Sequence, residues 1–357
     1  MSMRGIAIAG ASVICVALAG CGDRGSGEKT QASSAEAVAA ALDICANERS
    51  AFARNVCDNR ALAAIDEQIR ATLVAESAAI SDAGAQLLVQ NQQRWRDAAR
   101  VACGVIDENA APTAEQQSCL EVEFRARLEE VETAVQEIGG YTFQRMELVD
   151  AAPVTAEIAA ASGVGEGGPR AILRDIRFPR IDGRQTPAIQ RFNDLVAQQP
   201  QRDLSDATNE AVDYDIVFAG PDLISVRFRS SEDSLGAAHP NNSVKAVTVL
   251  MTDGRELAAS DVFTAESGWE DFVTERAVAA LTREFREYSF SPPERDVRET
   301  ATKPHLWLVT ERGLTILFPP YSFGGPHALG GAEVVIPWAD LRQYLNPAAP
   351  APIRPTA

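Results

Sequence analysis

The chain has 357 residues, 46% of them hydrophobic, with 50 acidic against 33 basic side chains and a formal charge of −17. That length gives two domains of ordinary size, each with apolar residues enough for a core. The acidity excludes nucleic acid and anionic membrane surfaces as partners, and it serves solubility or encounter with basic molecules.

The first feature along the chain is a leader. Arg4 precedes an apolar run from Ile6 to Ala19 that is too short to span a bilayer, and Leu18-Ala19-Gly20-Cys21 closes it. Small residues before a cysteine form a bacterial lipobox, so residues 1–20 read as a signal peptide and Cys21 as the lipidated first residue of the mature chain. Cleavage removes Arg4, the leader's one charge, and takes the formal charge to −18. Gly22 follows the cysteine where an inner-membrane retention signal of the enterobacterial type would place aspartate. The expected location is therefore the outer membrane of a Gram-negative host, facing the periplasm. Residues 21–34 are polar and glycine-rich and read as a flexible tether.

Residues 35–140 carry helical periodicity. Val38, Leu42 and Cys45 share a face, and Leu62, Ile65, Ile69 and Leu73 repeat at helical spacing. The pattern loosens at Ser81-Asp82-Ala83-Gly84 and resumes through Leu88, Trp95, Ala99 and Ala102. Thr113 with Gln116 predicts a capping box opening a helix through Leu120, Phe124, Leu128, Val131, Val135 and Ile138, ended by Gly139-Gly140. Cys45, Cys57, Cys103 and Cys119 all fall here, an even number in an exported chain, which reads as two disulfides. Of the three possible connectivities, the local one, Cys45–Cys57 with Cys103–Cys119, is preferred because each pair brackets a short connection.

Residues 141–169 end in an alanine- and glycine-rich stretch and are expected to be a linker. Residues 170–346 change character. Strands are predicted at Tyr214–Phe218, Ile224–Arg229, Val244–Met251, Leu306–Val309, Leu314–Phe318 and Val334–Pro337, joined by tight turns. Helices are predicted at Trp269–Tyr288 and Trp338–Leu345. Together these give a helical, disulfide-bonded domain followed by an α+β domain on an antiparallel sheet. Residues 347–357, rich in proline and alanine, read as a disordered tail.

Catalytic and metal-binding signatures are lacking. The histidines are His239, His305 and His327, and no HExxH, CxxC or GxSxG occurs. His239 and His327 both sit in glycine-containing loops that could meet at one end of the sheet, without the carboxylate spacing of a metal site. The residues themselves describe an exported binding protein without cofactor, metal or enzymatic activity.

Two stretches carry resemblances. Cys45 and Cys57, Leu62-Ala63-Ala64-Ile65-Asp66, a helix with Trp95, Arg100 and Cys103, and a helix opening at Cys119-Leu120 follow in order. Over residues 41–135 this resembles the LprI-type lysozyme-inhibitor domain. Gly236-Ala237-Ala238-His239-Pro240-Asn241, Asp253-Gly254-Arg255-Glu256-Leu257, Ser260-Asp261-Val262-Phe263 and Gly313–Tyr321 resemble the RsiV-type extracellular domain over residues 205–345, with Ala237 replacing a usual glycine. Both resemblances imply lysozyme, a basic protein, as partner, bound without covalent chemistry by occlusion of its substrate cleft. The contact regions expected from this are the loops Ser234–Asn242 and Tyr321–Gly331, with Ser234, His239, Asn241, Tyr321 and His327 as candidate contact residues. The competing reading is a cell-envelope module that grips peptidoglycan or another envelope protein.

Overall fold

The computed structural model describes residues 35–354 apart from 48, 166 and 200. The leader, Cys21 and the tether expected at 21–34 lie outside the described residues. No described helix is long and apolar enough to cross a membrane.

Six helices open the described chain: α1 (35–42), α2 (Ile44–Asn47), α3 (Ala51–Asp58), α4 (Arg60–Ser77), α5 (Asp82–Ala102) and α6 (Ala114–Val131). Their starts are set by side chains that accept otherwise unpaired backbone N–H groups. Ser50 caps α3, Asn59 caps α4, Ser81 caps α5, and Thr113 forms the expected capping box with Gln116 on α6. The predicted apolar faces meet in one core of Leu42, Ile44, Phe52, Leu62, Ile69, Leu73, Leu88, Trp95, Leu120 and Phe124. Trp95 and Phe124 pack edge to face at 5.0 Å between centroids. Disulfides join Cys45 to Cys57 and Cys103 to Cys119, the local connectivity. One bridge ties α2 to α3, and the other ties the end of α5 to α6.

The last helix is shorter than its periodicity suggested. α6 stops at Val131, and Val135–Ile138 is a strand, β1. Gly139 and Gly140, expected as a helix stop, both have positive φ and form the two-residue turn of a hairpin. Here Ile138 pairs with Tyr141. Val131, Val135 and Ile138 fit a helical face, but the Gly-Gly pair before Tyr141 and Phe143 favours a hairpin, and strand pairing prevails.

The stretch expected to be a linker is likewise ordered. It holds β2 (Tyr141–Pro153), the longest strand, and α7 (Ala156–Ser162), capped by Thr155 and ended by Gly163 in the left-handed region. Its alanines favour helix as readily as loop.

β2 continues into a seven-stranded sheet with β3 (Ala171–Ile181), β4 (Thr208–Ala219), β5 (Leu223–Ser234), β6 (Asn241–Leu250) and β7 (Arg255–Glu256), ordered β1 to β7 in sequence. Every pairing is antiparallel except β3–β4, which is parallel and is crossed over by α8 (Pro187–Val196). α8 buries Phe192 and Val196 against Phe143, Ile176, Val226 and Phe228.

The second sheet has three strands in the order β10-β9-β8: β8 (Trp307–Val309), β9 (Gly313–Phe318) and β10 (Ala332–Pro337). Alternation along these strands gives it two different faces. Trp307, Val309, Leu314, Ile316, Phe318, Val334 and Ile336 join the largest core with α10 (Trp269–Glu284), α11 (Glu294–Ala301) and α12 (Trp338–Leu341), after the short α9 (Ala259–Val262). Leu308 and Leu317 form a small cluster with Leu306, Ala246, Val217 and Val244, which attaches the small sheet to β4 and β6. Buried hydroxyls complete the joint: Ser225 accepts from Val309 N–H at 3.1 Å, and Thr248 donates to the Trp307 carbonyl at 3.1 Å.

The C-terminal stretch is not a disordered tail as far as residue 354. Ala349 and Ile353 are buried in the α10–α12 core, and Ala351 N–H donates to Asp222. Two apolar side chains with a fixed backbone bond outweigh the disorder that its composition suggests.

Candidate functional site

Hairpin geometry and the joint between the sheets bring the two candidate loops together. The first follows β5 and returns into β6. Ser234 ends β5, and its hydroxyl is bonded to Thr208 at 2.9 Å. Asn241 opens β6, where it pairs across from Glu232. These two candidates therefore form the base of the loop rather than its tip. Gly236 (φ +81°) lies so close to α7 that a Cβ would stand 2.1 Å from the Ser162 carbonyl oxygen. Only glycine fits there, which fixes where the loop leaves the sheet. His239 is exposed at the tip, with Nδ1 3.0 Å from the Pro240 carbonyl.

The second loop runs from β9 to β10 and is anchored from below. Phe323 is fully buried and stacks on Phe285 at 5.2 Å, and Thr300 donates to the Ser322 carbonyl at 2.7 Å. Tyr321 points outward, 54% exposed, so it does not pack beneath the loop. Its φ of +68° lies in the left-handed region, which a bulky side chain adopts at a cost of about 1–3 kcal/mol. Such strain persists where the surroundings impose it, and it gathers at sites that bind.

The tips meet. His239 and His327 stack with ring centroids 3.9 Å apart and planes 15° from parallel. Tyr321 is tilted 34° against His327, with 5.5 Å between ring centroids. His327 Nδ1 is buried and has no hydrogen-bond partner among the described residues. Three rings, one from the first loop and two from the second, thus form one short aromatic row. Among the described residues, no cluster of His, Cys, Asp or Glu has the form of a metal site.

Below the loops a cleft of about 650 Å³ opens between the two sheets, with Asn242 and Gly331 at its rim. Ala211, Asp213, Arg229, Ser231 and Val244 line it from the large sheet, and Glu284, Pro320, Ala332 and Glu333 from the other side. A second cleft of about 730 Å³ continues it past Glu333 to Val217, Arg227, Thr315 and Val335. The Arg227–Glu333 ion pair, at 2.9 Å, stands between the two. Asp213, Glu284, Arg229 and Glu333 are absent from the residues that the sequence singled out. The alternation Ala211-x-Asp213-x-Asp215 along β4 marks Asp213, since it places those side chains on one face, while Arg229, Glu284 and Glu333 come from β5, α10 and β10 and carry no such signal.

A family model described as a protein of unknown function, DUF3298, matches residues 260–339, which run from α9 into α12. That segment lies inside residues 205–345, where the sequence leads to the expectation of an RsiV-type domain; the family matched there is DUF3298. A DUF3298 family member from Bacteroides fragilis is 14% identical, with a TM-score of 0.44, covering 59% of this chain and 96% of its own. A DUF3298 family protein from Pseudomonas aeruginosa is also 14% identical, with a TM-score of 0.42, covering 58% of this chain and 95% of its own. Among curated proteins none matches this chain.

Proposed function

We propose that this protein is an exported lipoprotein that binds lysozyme and blocks its substrate cleft without covalent chemistry. The observation that carries the reading is the meeting of the two loops in the His239–His327–Tyr321 row, on a base fixed by Phe323 and Gly236. A strained, exposed tyrosine with a polar tip is a stiff contact residue, and ordering it beforehand lowers the entropic cost of binding. The loop tips also offer His239 as a donor toward a carboxylate in the partner's cleft. Ser234 and Asn241 support the loop from the strand ends. The −17 charge favours encounter with a basic enzyme and predicts a rate that falls with salt.

Attachment is part of the same proposal. Lipid on Cys21 holds the chain at the outer membrane, facing the periplasm. Cys21→Ser should move the protein into the soluble fraction, and its retention on membranes would exclude the anchor.

The functional test adds the soluble Cys21→Ser protein to a lysozyme clearing assay on cell walls, with calorimetry alongside. Inhibition with a one-to-one complex supports the reading. Undiminished clearing at large excess, together with retention on insoluble peptidoglycan alone, supports an envelope-binding module instead.

A further inference from the structure

The wedge between the two sheets has a feature that the loop tips do not use. β10 is an edge strand, and beyond its pairing with β9 its backbone has no hydrogen bond to another element among the described residues. The inward face of β10 carries Glu333 and Val335, the latter 54% exposed, and both line the clefts described above. Opposite them, β4, β5 and β6 present Val217, Arg227, Arg229 and Val244. The groove therefore has an apolar floor, an open row of backbone donors and acceptors, and charged walls.

Its charges are unevenly satisfied. Arg227 pairs with Glu333 and Asp215, and Arg229 pairs with Asp215. Asp213, Glu284 and Glu311 line the groove with no ion pair among the described residues, against Arg312 as the one guanidinium in the same position. An acidic segment would meet unpaired carboxylates on a chain of formal charge −17. A second copy pairing through β10 would bring that charge against itself.

We propose that this wedge is a docking groove for an extended, basic polypeptide segment, which pairs its backbone with β10 and sets its cationic side chains against Asp213 and Glu284. Alternation suits this arrangement, because successive residues of an extended segment point to opposite sides. Apolar side chains then cover Val217, Val244 and Val335, and basic ones reach the carboxylates. Pro337 limits the pairing at one end, since it has no N–H to donate. The proposal is independent of lysozyme as partner.

The test is a titration of the soluble Cys21→Ser protein with a short fluorescent peptide alternating lysine and valine. One-to-one binding is expected. Asp213→Asn with Glu284→Gln, both exposed positions, should weaken it about tenfold, as should methylation of alternate peptide backbone nitrogens. A peptide of the same composition in scrambled order should bind equally weakly. Equal affinity for the methylated or scrambled peptide would reduce the interaction to diffuse charge attraction and overturn the proposal. So would an unchanged affinity in the double variant.

Discussion

Tyr321 concentrates the case at the scale of single residues. Its backbone is held where asparagine and glycine are at ease and tyrosine is not, while its ring stays exposed beside His327. Tyr321→Asn relieves strain worth about 1–3 kcal/mol and removes one exposed ring contact. Denaturant unfolding should show stability at or above the parent level, while calorimetry shows lysozyme affinity reduced at least about tenfold. A variant that is clearly less stable would mean the ring holds the loop together, and unchanged affinity would remove it from the contact surface. The loops were legible in the sequence because glycines flank His239 and His327. The stacking of the two imidazoles was not, since it depends on how far the small sheet leans toward β5 and β6, and no local pattern encodes that. Asp213 and Glu284 escaped notice for a related reason: an isolated acid on a strand or helix surface looks like any solvated charge.

Between elements, the helical region is fastened to the large sheet through buried charges. Arg127 of α6 and Arg145 of β2 both bind Glu147, itself 2% exposed, at 2.8 and 2.9 Å, and Gln92 of α5 accepts from Arg127 at 2.9 Å. Burial alone would raise the Glu147 carboxyl, but Arg127, Arg145 and Arg177 outweigh it and hold it below the ordinary carboxylate range. A lowered carboxyl contributes stability that is present at neutral pH and lost as pH falls through its folded value. Glu147→Gln leaves Arg145 without an ion pair among the described residues and Arg127 with Glu130 alone, at a cost of about 3–5 kcal/mol. Denaturation at neutral pH should show that loss, and the gap between parent and variant should narrow in acid. A gap that widens in acid would contradict the assignment. Neighbouring Asp175 is displaced upward by burial, which is why the comparison with the variant, rather than the whole pH profile, isolates Glu147. The disulfides act within the helical region alone. Removing Cys103–Cys119 by paired substitution should lower stability by about 2–5 kcal/mol, read as an earlier loss of helical signal on heating. Simultaneous loss of both regions would show them to be one cooperative unit. Helix starts were read well because capping residues are local, as at Thr113. The end of α6 was not legible because Gly139-Gly140 suits a helix stop and a hairpin turn alike, and the strand β2 and the buried Ile353 were not because partners distant in sequence decide them.

At the scale of the whole molecule, a helical, disulfide-bonded region leads into a mostly antiparallel sheet, and a smaller sheet with its helices leans over that sheet to form a cleft and two adjoining loops. The proposed binding role draws on loops held between strands, and on a chain of formal charge −17 that would attract a basic partner from a distance. Long-range attraction and contact geometry separate in one experiment, because salt weakens the first and leaves the second. The most direct test is lysozyme clearing of cell walls with increasing Cys21→Ser protein, at low and at moderate salt, beside the Tyr321→Asn variant. The account predicts stoichiometric inhibition at low salt, weaker inhibition at moderate salt, and a loss in the variant at both. Full clearing at large molar excess under low salt, with no complex in calorimetry, would contradict it.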